Sequence, residues 1–136
     1  MNLDDVAEEI RAALGTIDGL STPEWGVQRI HPPAAVIALP EEVTYDLTYG
    51  RGMDRIEDWQ VLVLVANPTR PEARRQIARY ADGAGAQSVK AAIEAHEYEH
   101  CDSVTVKSAA FDVVSYAGTE YLAVMFPLDV AGKGGA

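Results

Sequence analysis

Residues 96–100 read His-Glu-Tyr-Glu-His, so His96, Glu97 and His100 satisfy the pattern H-E-x-x-H. On an unbroken helix the two imidazoles would face one Zn²⁺ from successive turns. The glutamate would then act as base on metal-bound water. That chemistry needs a third ligand. The extended form of the pattern calls for glycine at 103 and histidine at 106, where this chain has Ser103 and Val106. Glu120 is the acidic alternative, but it lies in AGTEYL, which reads as strand or turn. His31, the remaining histidine, stands beside Pro32 and Pro33. Tyr98 to Ser103 are poor helix formers leading into VTV, so the helix is expected to end near 96–98. The expectation is a polar junction between helix and strand, with His96 and His100 not aimed at a shared metal, and with no cofactor.

Three other clusters carry chemistry. GRGMDR at 50–55 has the glycines of a phosphate loop but the continuation of neither the Walker nor the dinucleotide pattern. It joins two strand-like segments and is expected to be a hairpin tip. Tyr49, Arg51, Met53, Asp54 and Arg55 on that tip form either a plain loop or a contact with another protein chain. Arg70, Arg74, Arg75 and Arg79 make the one basic patch in an acidic chain. They fit either a solvated helix face or contact with an acidic neighbour, including a second copy. Cys101 follows His100 directly, but adjacent side chains rarely face each other as nucleophile and base, so a structural thiol is expected.

The elements that must position these residues follow from periodicity. In LDDVAEEIRAAL, 3–14, Leu3, Val6, Ile10 and Leu14 share one helical face, with Asp4 and Asp5 in the first turn. AAVIAL, 34–39, is a buried strand bounded by prolines. Val43, Tyr45, Leu47 and Tyr49 alternate along 41–49, and 56–66 is rich in β-branched residues, so the two pair as a long hairpin. A second helix spans 69–82, with Thr69 as a possible cap and Pro71 in the first turn. A third runs from a Ser88 cap to about His96. Strands follow at 103–111 and within 112–130, turning at Ala117–Gly118. The fold class is α+β: a largely antiparallel sheet with a long β-hairpin, helices packed on one face and a helix at the N-terminus. Residues 1–130 form one domain, and 131–136, AGKGGA, are expected to be a flexible tail.

A chain of 136 residues with 48% hydrophobic and 24% charged side chains has the size and composition of one globular domain. One cysteine permits no intrachain disulfide. The acidic N-terminus has no basic and apolar leader pattern, so no signal peptide is expected. VLVLVA, 61–66, is too short to span a bilayer. A net charge of −10 argues against gripping nucleic acid through a broad positive surface. It does not exclude a protein that DNA merely passes through, since a channel wall does better repelling phosphate than gripping it.

Five segments taken in order carry a resemblance: LDDVAEEIRAAL; PPAAVIALPEEVTYDLTYGRGMDR; YADGAGAQSVKAAIEA; CDSVTVKSAAFDVV; and GTEYLAVMFPLDVAG. Together, across nearly the whole chain, they resemble the tail terminator proteins of long-tailed, siphovirus-type phages of actinobacteria. The resemblance implies a small α+β subunit of a hexameric ring at the head–tail junction of the virion, assembled in the host cytoplasm. Such a ring caps the tail tube, ends its elongation and docks the head-side connector. DNA passes through without sequence-specific binding, and there is no enzymatic activity, metal or membrane contact. Six copies would bring about −60 charges to the ring. Another head–tail connector or tail-completion protein shares size, symmetry and class, and a small zinc hydrolase built on His96, Glu97 and His100 is the alternative from a different class.

Overall fold

A computed structural model describes residues 1–23, 31–45, 52–116 and 118–133. The chain is α+β, as the periodicity predicts. Helix α1, Leu3–Leu14, starts where Asn2 accepts a hydrogen bond from Asp5 N (3.2 Å) and buries Val6, Ala7, Ile10, Ala13 and Leu14. Strand β1, Ala34–Ile37, pairs antiparallel with β2, Asp54–Val65. Helices α2, Pro71–Ala81, and α3, Val89–Ala95, come next, then β3, Ser103–Val106, β4, Ala110–Tyr116, and β5, Thr119–Gly132.

The sheet order is β1-β2-β5-β3, with β4 also on β5, and every pairing between strands is antiparallel. β5 is the spine. One edge pairs with β2 along almost its whole length; the other pairs with β3 at one end and β4 at the other. Alternation then assigns the two faces. Val61, Val63, Val65, Val124, Phe126, Leu128 and Val130 point into the main core with Val6, Ile10, Ile77, Tyr80 and Ile93 of the helices. The opposite face carries a smaller cluster: Leu64, Tyr121 and Ala123, with Val36, Leu62, Val114 and Tyr116 against it.

Three expectations change in detail. On the edge away from β5, β2 pairs with 34–37, and in the described part of 41–49 Thr44 bridges to Arg55 (N to O, 2.8 Å in both directions). Ala34, Ala35 and Ile37 are buried, as the continuous apolar run predicts, while Tyr45 is exposed; 46–49 lie outside the described residues. The segment 103–111 is two strands, because Lys107–Ala109 lie opposite only Phe126 and Pro127 and shift the register by one residue. Pro127 has no N–H to give to the ladder there. β5 continues through Gly132, so Ala131 and Gly132 belong to the sheet and not to a tail; 134–136 lie outside the described residues.

Candidate functional site

The H-E-x-x-H stretch begins where a helix stops. α3 is short and is started by Ser88, whose hydroxyl accepts from Ala91 N (3.1 Å) and donates to Asp82 O (2.5 Å). It ends at Ala95, and His96 is its C-cap with an extended backbone (φ −68°, ψ 138°). His96 and His100 are therefore not one helical turn apart. They lie against α1 instead. Glu9 accepts from the backbone N–H of Glu99 (2.7 Å) and of His100 (3.0 Å), and His96 Nε2 is 3.9 Å from its carboxylate. His100 Nδ1 is 3.7 Å from Asp5 Oδ2. Tyr98 turns inward and donates to Ile93 O (2.7 Å); burial pushes its hydroxyl pKa up. Among the described residues no group of three or more His, Cys, Asp or Glu is arranged to hold a metal ion. The stretch is a polar junction clamped to α1, in which one carboxylate satisfies two backbone donors.

Cys101 is buried beside this junction. Burial first, then the charges of Glu9 and Asp102, push its thiol up to about 11. It stays protonated at neutral pH, the opposite of an activated nucleophile.

The residues expected on a hairpin tip separate. Tyr49 and Arg51 lie outside the described residues. Met53 is half-buried just before β2. Asp54 is not on a tip: it is 3% exposed at the first position of β2, where its carboxylate takes the Met1 ammonium at 3.2 Å. Arg55 is also inside the strand, and its guanidinium forks onto Asp129 of β5 (Nε to Oδ1 3.0 Å, Nη2 to Oδ2 2.7 Å). That pairing holds the Asp129 carboxyl below the usual range against the opposing effect of partial burial. Asp54 and Arg55 thus fasten the sheet and belong to β2, with Asp54 buried and Arg55 partly exposed.

The four arginines are placed as the pattern predicts. α2 buries Ala73, Ile77 and Tyr80 and turns Arg74, Arg75 and Arg79 outward, with Arg70 exposed at its N-cap. Thr69 is not the cap, and Arg70 makes no side-chain capping bond. Sequence reasoning missed a further surface. Phe111 (56% exposed) and Val113 (49%) stand side by side on one face of β4, and among the described residues β4 pairs only with β5. Their two-residue spacing marks a shared face but not that the helices stop short of it.

No family model matches the chain, and no curated protein matches it.

Proposed function

We propose that this chain is a structural subunit of a phage virion: a tail terminator whose copies form a ring on the end of the tail tube, stop its elongation and offer the docking surface for the head-side connector. One structural observation supports an assembly subunit most directly. Among the described residues β4 pairs only with β5, and Phe111 and Val113 stand exposed on one of its faces. An edge strand with apolar side chains in water invites pairing with another chain. The five-segment resemblance supplies the kind of assembly. The fold class agrees with what that family implies, and the net charge of −10 suits a ring whose bore lets DNA pass. The proposal gives the chain no catalytic residue and no metal.

Depletion of the protein during infection tests the proposal. Filled heads and unjoined tails of irregular, extended length are expected. Tails of normal length that fail to join heads would point to a different neck component, and normal joined particles would contradict both. Deleting 50–55 is a poor probe, because it removes the buried Asp54 and the Arg55 fork. Substituting Arg51 and Met53 tests the tip without cutting into β2.

A further inference from the structure

A group of arginines and an acidic recess lie at opposite ends of the sheet. Arg11, Arg55, Lys90 and Lys107 each hold a carboxylate of the same chain, on Glu8, Asp129, Glu94 and Asp58. Among the described residues, Arg70, Arg74, Arg75 and Arg79 hold none. A chain with 21 acidic and 11 basic residues thus leaves Arg74, Arg75 and Arg79 turned outward on α2 and Arg70 exposed at its N-cap. Arg70 lies just past the Val65 end of β2, where it shares a recess of about 180 Å³ with Pro33 and Ala66.

An acidic recess lies at the other end. The Met1 ammonium meets Asp54 and Lys133 O, and Asp102 N donates to Ala131 O (2.8 Å), so the start of α1 and the 96–102 segment lie where β5 finishes. Asp5, Glu8, Glu9, Glu97 and Glu99 line a recess there of about 370 Å³. The β2 strand between the two ends is roughly 35 Å long.

We propose that the arginine face of α2 docks into this acidic recess on a second copy of the chain. The two patches differ and sit at opposite ends, so the contact is head-to-tail; repeated, it closes into a ring if the rotation per copy allows, and otherwise runs on as a filament. Arginine suits the task, because its planar fork can grip carboxylates in pairs. This interface rests on the ring proposal for its biological setting but not for its chemistry.

Sedimentation of the purified chain at low and high salt, with two charge-reversed variants, tests it. One variant is R74E/R75E and the other is E97K/E99K; all four positions are exposed, and circular dichroism checks that each variant folds. The wild-type chain should associate at low salt and dissociate as salt rises. Each variant alone should associate about tenfold more weakly or not at all. An equimolar mixture should recover association, because reversed patches then face each other. A wild-type chain that stays monomeric at low salt, variants that associate like wild type, or a mixture that fails to recover each overturn the interface. So does a short DNA duplex that binds the wild-type chain through these arginines while the chain itself stays monomeric. Association unaffected by the reversals would leave the ring standing on another surface. Reversal-sensitive association in a chain absent from the head–tail junction would keep the interface and remove the ring.

Discussion

Asp54 holds a buried ammonium at the first position of β2, and Asp129 holds the Arg55 fork across the same strand pair. The two carboxylates fail differently. Asp54→Ala leaves the buried charge of Met1 without its carboxylate, and a loss of about 3 kcal/mol is expected, read as a lower urea midpoint. Asp129 lies nearer the surface, so its signature is pH dependence. Its folded-state pKa is depressed, so its stabilisation is present above the unfolded value of about 4 and is lost as pH falls through the folded value. Asp129→Asn should therefore flatten the acid limb of the urea midpoint below about pH 4. An unchanged limb would mean that other carboxylates carry it. Glu9 is a residue no pattern flags, because its partners, the N–H groups of Glu99 and His100, are about ninety positions away in the chain.

At the scale of elements, what is legible in the sequence is what local periodicity controls. α1 is read to its observed ends because its apolar face, first-turn acids and following glycine agree. α3 is read with its Ser88 cap, and its end before His100 is enough to dissolve the zinc pattern. The pairing of β2 with 34–37 was not legible, since strand-like spacing does not name a partner and only the packed core does. The same holds for the site: the arginine face follows from helical spacing, whereas the burial of Asp54 and the exposure of Phe111 depend on which faces the helices cover. Two elements rest on single residues. Ser88→Ala should destabilise by about 1–2 kcal/mol, because a helix as short as α3 loses both its cap and the bond to Asp82 O. Gly118, at φ 82°, turns β4 into β5, and Gly118→Ala should cost about 1 kcal/mol. Chemical denaturation checks both.

At the scale of the whole molecule, Phe111 and Val113 stand exposed on β4, which among the described residues pairs only with β5, and four arginines face outward from an acidic chain. No helix among the described residues is long and apolar enough to cross a membrane. These features fit a subunit that is completed by its neighbours. Phe111→Lys with Val113→Lys should leave the fold within about 0.5 kcal/mol of wild type, since both side chains are already half in water. The same pair should abolish assembly if β4 lies at a contact between subunits. The most direct test is electron cryomicroscopy of intact virions at the head–tail junction. The account expects a ring of copies of this chain, density continuous beside β4, seated between the last turn of the tail tube and the connector. A junction built without this chain, or the chain found elsewhere in the particle, would contradict it.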